Sequence, residues 1–320
     1  YTSIDELMSN QEKKDFEKLV GMNHSLAQTV KQCKATISYP PNGLPMLLYG
    51  PTGTGKSLIA KLTYEWARNQ GVIAKDGQFI QVNCSEYANN PELLTANLFG
   101  HVKGAFTGAE KDNEGLIALA DNGVLFLDEV HELKAECQEK LFLFRDQGIY
   151  HRVGDNEKWY KSNVRIVFAT TENPDKVLLK TLMRRIPMII TIPSLEQRGT
   201  QERIELLHDI FSQEEKRWNC QIKMSSKVYN ALLQSKMPGN IGQLKSSVQS
   251  CCINSLFDKV NDDLVIHLDS LPQDLLQQVY ANQKTVLDDD EYIYVDDLQG
   301  YYNGQKEILQ LNESLLACYR

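Results

Sequence analysis

The chain has 320 residues, 24% of them charged and 42% hydrophobic, with a formal net charge of −8. That length exceeds one ordinary core and predicts two domains with linkers, while the acidic balance excludes a protein that grips a nucleic-acid duplex over its whole surface. No stretch approaches the roughly twenty apolar residues of a membrane span and no signal peptide is visible, so a cytoplasmic protein without membrane contact is expected.

In chain order, residues 4–19 read as a charged amphipathic lead-in, and Leu19-Val20-Gly21-Met22 precedes a helix from about Ser25 to Ile37. Tyr39-Pro40-Pro41-Asn42-Gly43 ends that helix before a strand over Pro45–Tyr49. The strand tips into Gly50-Pro51-Thr52-Gly53-Thr54-Gly55-Lys56-Ser57, which reads as a phosphate loop. Its glycines let backbone N–H groups turn around a phosphate, Lys56 adds a point charge for the outer phosphates, and Ser57 is placed to ligate Mg²⁺ at a helix start. Leu58, Ile59, Leu62, Trp66 and Ala67 share a face of the predicted helix 57–70. An accidental glycine-rich turn is the competing reading, and the flanking strand and helix argue against it.

There follow a strand Phe79–Cys84, a helix or loop through Phe99, a glycine-rich loop, a helix, a strand Val124–Asp128, a helix Ala135–Arg145, a hairpin about Gly154-Asp155, and strands Val164–Ala169 and Met188–Ile192. This alternation predicts an α/β fold with a parallel sheet flanked by helices and ligands at the carboxyl ends of its strands. Gly50–Ser57, Asn83, Asp128-Glu129 and Thr170-Thr171 all fall there. Val124-Leu125-Phe126-Leu127 is the run of a fully buried strand that delivers two carboxylates at its end. On a strand neighbouring the phosphate loop, Asp128 is expected to hold Mg²⁺ opposite Ser57, and Glu129 to polarise the water that attacks the γ-phosphate of ATP. Taken alone the pair would read as a solvated acidic turn.

In Gly104-Ala105-Phe106-Thr107-Gly108-Ala109 small residues surround one aromatic ring, which suits a mobile loop with Phe106 at its tip. Leaving such a ring in water forfeits roughly 1.5–3 kcal/mol, so an exposed Phe106 implies a partner, the alternative being a ring tucked into its own domain. After Pro193 the pattern changes to helices Thr200–Trp218, Ser226–Gln234 and Asn240–Asp258, with almost no strand signal before Leu264–Leu268. A small all-α lid is expected over 196–270, and the acidic run Asp288-Asp289-Asp290-Glu291 marks 271–320 as a connector with a helical ending. The seven cysteines show no metal-ligand spacing and read as reduced thiols. The chain does not begin with Met and is expected to be part of a longer protein.

Gly104–Ala109 is the signature loop of the AAA+ activators of sigma-54 RNA polymerase, and the sequence resembles that family from about residue 20 to 250. Asn83-Cys84, Leu98-Phe99-Gly100-His101, Leu125–Glu129 and Pro238-Gly239-Asn240-Ile241 follow as further landmarks in family order. The resemblance implies an ATP-hydrolysing motor over 20–195 whose loop touches sigma-54 through Phe106 and Thr107 and rises or falls with the γ-phosphate, with Asn83 linking Glu129 to the loop. It implies a supporting hairpin at Val153 and Gly154, a γ-phosphate sensor at Thr170 and Thr171, and a nucleotide site extending to Val20, Gly21, Leu58 and Ile241. Arg185 stands where the family places a finger that reaches the ATP of a neighbouring subunit, an effect of about 10³–10⁵ in rate, so a homo-oligomer, a hexameric ring when active, is expected. Leu179 replaces an upstream arginine, and Gly242 replaces the lid arginine, with Lys245 a candidate substitute. Together with Val130-His131, that variant resembles the levanase-operon-type activators. Sigma-54 and the polymerase holoenzyme are the expected partners, and DNA is expected to be touched by a domain outside the chain. Two alternatives stay open: another AAA+ remodeller, or a nucleotide-binding assembly module with weak or no turnover.

Overall fold

The computed structural model describes residues 16–257, 259–260, 262–281 and 291–307. The chain divides between Pro193 and Ser194 into two compact units. In the first, the strands are β1 (Met46–Tyr49), β2 (Phe79–Asn83), β3 (Val124–Asp128), β4 (Ile149–Tyr150), β5 (Tyr160–Lys161), β6 (Arg165–Thr170) and β7 (Met188–Thr191). Five of them form one parallel sheet in the order β2-β3-β6-β1-β7, and β4 pairs with β5 as the expected hairpin. The helices are α1 (Ala27–Ile37), α2 (Lys56–Asn69), α3 (Pro91–Phe99), α4 (Leu116–Leu119), α5 (Ala135–Gln147), α6 (Pro174–Val177) and α7 (Lys180–Met183).

The continuous apolar runs are explained by burial on both faces. Val124 and Phe126 join a core with Met46, Leu48 and Val167, whereas Leu125 and Leu127 join the opposite core with Leu47, Ile166 and Phe168. The period of two sends successive side chains to opposite layers, and each fully buried one contributes about 1.5–3 kcal/mol. On α2 the buried stripe is Ile59, Ala60, Leu62, Thr63 and Ala67, and Leu58 departs from expectation at 51% exposure. Leu58 sits one position round the helix from the sheet-facing row.

One expectation of topology is corrected. β6 lies between β1 and β3, pairing with both, so the acid pair is one strand removed from the phosphate loop rather than adjacent to it. Spatial strand order follows from crossovers that no local run of residues encodes.

The second unit holds the three expected helices, α8 (Gly199–Trp218), α9 (Ser226–Gln234) and α10 (Asn240–Asn254), together with α11 (Gln273–Ala281) and helical residues 298–307. Beside them stand four short strands, β8 (Ile222–Ser225), β9 (Lys259–Val260), β10 (Asp263–Ile266) and β11 (Tyr292–Tyr294), in the order β11-β8-β10-β9. The second unit is largely helical but not, as expected, free of strands, because β8 is too short to announce itself and gains its partners from residues about forty and seventy positions on. Residues 291–307 belong to this unit rather than to a solvated connector. Tyr229 donates its hydroxyl to the Leu298 carbonyl at 3.2 Å and packs its ring 5.7 Å from that of Tyr301. Residues 4–15 of the lead-in, Asp258, the run 288–290, the last stretch of the helical ending and Cys318 lie outside the described residues. The other six cysteines are free thiols, and burial pushes Cys33 and Cys251 up to about 12. Among the described residues no helix is long and apolar enough to cross a membrane.

Candidate nucleotide site and effector loop

β1 ends at Tyr49, paired with Thr170 on one side and Thr191 on the other, which fixes where the phosphate loop begins. Gly55 caps α2 with φ of 98°, a left-handed backbone that costs other residues roughly 1–2 kcal/mol. Lys56, 6% exposed, donates to the carbonyls of Gly50 at 2.9 Å and Pro51 at 3.2 Å, and the Thr54 hydroxyl donates to Pro51 at 2.9 Å. Burial holds the Lys56 ammonium below the usual lysine value, and the Glu129 and Asp128 carboxylates act against that shift. Pro51 and Thr52 form the exposed rim of the loop, and Gly53 is partly covered.

The Ser57 hydroxyl donates to Asp128 Oδ2 at 2.9 Å, and Asp128 Oδ1 accepts from the Glu129 backbone N–H at 3.0 Å. A hydroxyl and a carboxylate converging on one point at a helix N-terminus are hard oxygen donors that fit Mg²⁺ beside a phosphate. Glu129 turns the chain with φ 51° and ψ 49°, a left-handed conformation rare outside glycine. Thr171 at the end of β6 donates its hydroxyl to Glu129 Oε2 at 3.1 Å. Thr170 is fully buried, and its hydroxyl oxygen accepts from the Glu172 N–H at 3.1 Å.

Asn83 is where the structure differs. Its side-chain carbonyl accepts from both the N–H and the hydroxyl of Ser85, at 3.1 and 2.8 Å, and among the described residues it makes no contact with Glu129. Its oxygen thus caps the 3-10 turn Cys84–Tyr87, and a link to the Glu129 carboxylate would have to come from the Asn83 amide nitrogen. Val20 and Gly21 lie in the turns that lead into α1, and Ile241 lies in the first turn of α10 in the second unit.

The loop Gly104–Ala109 closes on itself. The Gly104 N–H donates to the Ala109 carbonyl at 2.8 Å and the Ala109 N–H to Phe106 at 3.0 Å, leaving Thr107 and Gly108 outward. Phe106 is 39% exposed and meets the His101 ring edge-on, 4.9 Å between centroids. It is thus half-docked rather than bare or buried. The Val102 N–H donates to the Val153 carbonyl at 3.1 Å and the Val153 N–H to Gly100 at 2.9 Å, tying the loop base to the second hairpin. A Cβ on Gly154, whose φ is 83°, would stand 2.7 Å from the Ala105 Cβ, so the two loops touch through a position only glycine fills without strain.

Arg185 follows α7. Its Nε and Nη2 donate to the Asp146 carboxylate at 3.0 Å each, and its guanidinium stands 4.7 Å from the Phe142 ring. The pair holds Asp146 below and Arg185 above their usual values. Arg184 is exposed, and the Leu179 N–H donates to Gln138 Oε1 at 2.8 Å. Sequence reasoning gave no role to Asp146 or His101, and used His131 as a marker alone. The signal for His131 was its place two residues beyond Glu129, inside a tight turn.

Residues 19–189 match the family described as Sigma-54 interaction domain. The chain is 45% identical over 273 residues to the transcriptional regulatory protein LevR of Bacillus subtilis (strain 168), covering 85% of this chain and 29% of LevR. It is 41% identical over 239 residues to the transcriptional regulatory protein DagR of Salmonella typhimurium, covering 74% of this chain and 25% of DagR. The chain therefore spans less than a third of either relative, and the likeness supports the levanase-operon-type subgroup. In fold it is similar to NtrX from Brucella abortus, solved in complex with ATP, with a TM-score of 0.68 at 23% identity over 86% of this chain and 58% of NtrX. It is also similar in fold to RuvB of Thermotoga maritima, with a TM-score of 0.53 at 14% identity over 84% of this chain and 72% of RuvB. Because the family match takes in more than half of the chain, the protein belongs to the sigma-54 interaction domain family.

Proposed function

We propose that this domain hydrolyses ATP and uses the cycle to drive the loop Gly104–Ala109 against sigma-54 in a closed polymerase–promoter complex. The observation that carries the reading is the meeting of Ser57 with Asp128 at 2.9 Å, beside a Glu129 carboxylate held by Thr171. The phosphate loop would cradle the phosphates, Lys56 would exchange its carbonyl partners for phosphate oxygens, and Ser57 and Asp128 would hold Mg²⁺. When bound, that ion would supply positive charge to offset the charge that develops during hydrolysis. Glu129 would orient and polarise the attacking water, and Thr170 and Thr171 would register the terminal phosphate from the end of β6. Arg185 would serve the site of a neighbouring subunit in a ring, a hexamer when active, which requires it to leave Asp146. The exposed part of Phe106 supports a partner at the loop, and operator DNA is assigned to a domain outside these residues.

Glu129→Gln keeps the shape and removes the charge. Turnover should fall below detection while ATP binding persists, as read by steady-state hydrolysis and nucleotide titration; full turnover in this variant would sink the proposal. An assembly module without turnover is the second reading, favoured by Gly242 and Leu179 standing in place of two arginines. Turnover by the unaltered chain separates the two.

A further inference from the structure

We propose that His131 is a positioning residue for the Glu129 carboxylate; the inference rests on the hydrolytic reading above. His131 lies in the 3-10 turn Val130–Glu132 that follows Glu129, and its ring is largely covered. Its Nδ1 stands 3.2 Å from Thr170 Oγ1 and 3.4 Å from Glu129 Oε2, while Nε2 stands 3.5 Å from Glu132 Oε1.

The surroundings assign the proton. The Thr170 hydroxyl oxygen already accepts from the Glu172 N–H, and its proton points to the Glu172 carbonyl at 3.4 Å. Its remaining lone pair needs a donor, so Nδ1 carries a hydrogen for Thr170, with the Glu129 carboxylate at ion-pair distance from the same nitrogen and the Glu132 carboxylate facing Nε2. In this state the Glu129 contact is an ion-pair distance rather than a hydrogen bond, and on this proposal the ring turns toward the carboxylate when substrate binds.

Two donors then converge on a single oxygen. Thr171 Oγ1 and His131 Nδ1 both face Glu129 Oε2, and among the described residues Oε1 has no partner. Oε1 is thereby left for the attacking water. Because Nδ1 also touches Thr170 at the end of β6, the ring links the acid that follows β3 to the strand end proposed to register the terminal phosphate.

The test uses the full chain with ATP and Mg²⁺. His131→Ala should lower kcat by about 10- to 100-fold, the range that loss of one charge-assisted hydrogen bond supports, with KM for ATP changed less than about threefold. His131→Asn sets its amide nitrogen near the Nδ1 position and should restore most of kcat. A kcat in His131→Ala equal to that of the unaltered chain overturns the assignment, as does a His131→Asn variant that folds and is as slow as the alanine variant. If the alanine variant does not fold, the same comparison is made between the unaltered chain, His131→Asn and His131→Leu. An unaltered chain with no turnover overturns the hydrolytic reading itself, and this assignment with it.

Discussion

Glu129 illustrates how strain and support coincide at one residue. Its left-handed backbone costs roughly 1–3 kcal/mol, and such a conformation persists where neighbours over-determine it. Thr171 is one of those neighbours through its hydroxyl at 3.1 Å. Thr171→Val keeps the volume and deletes the donor, so kcat should fall about tenfold with ATP affinity little changed, measured by steady-state rates and nucleotide titration. The residue types of this site were readable from the runs that contain them. Their partners were not: Asn83 was expected to reach Glu129 and instead caps its own turn through Ser85, a local competition that spacing does not reveal.

At the scale of elements, the loop Gly104–Ala109 rests on the hairpin that holds its base. Phe106→Ala should leave ATP hydrolysis in place and abolish sigma-54 capture, checked by hydrolysis rate and by pull-down with sigma-54 and scored against open-complex formation. Gly154→Val acts from the other side of the contact. It forces a branched side chain into a left-handed φ and against Ala105, a penalty of about 1–3 kcal/mol that should loosen the loop and weaken sigma-54 capture while the domain stays folded. A variant that captures sigma-54 as well as the unaltered chain would show that the hairpin bears no weight. The strands of the first unit were legible because each is a buried apolar run, but β8 was missed because four residues of mixed polarity say little until β10 and β11 flank them.

At the scale of the whole molecule, the role proposed for Arg185 is to reach from one chain to another. In the single chain it is held by Asp146 and stacked on Phe142, so it reaches no phosphate of its own site in this state. Specific ATPase activity should therefore rise with protein concentration as subunits assemble, and Arg185→Ala should flatten that rise, measured from micromolar upward with assembly followed in parallel. Activity independent of concentration would remove the trans role.

The phosphate loop, the buried strand ending in two acids and the aromatic-tipped loop were determined by sequence alone, since the chemistry of each resides in consecutive residues. Tertiary structure alone decided that β6 separates the loop strand from the acid strand, that Thr171 meets Glu129 across 42 positions, and that the chain after residue 290 returns to complete a sheet. Those outcomes depend on which strands lie side by side, and that order is a property of how the whole chain packs.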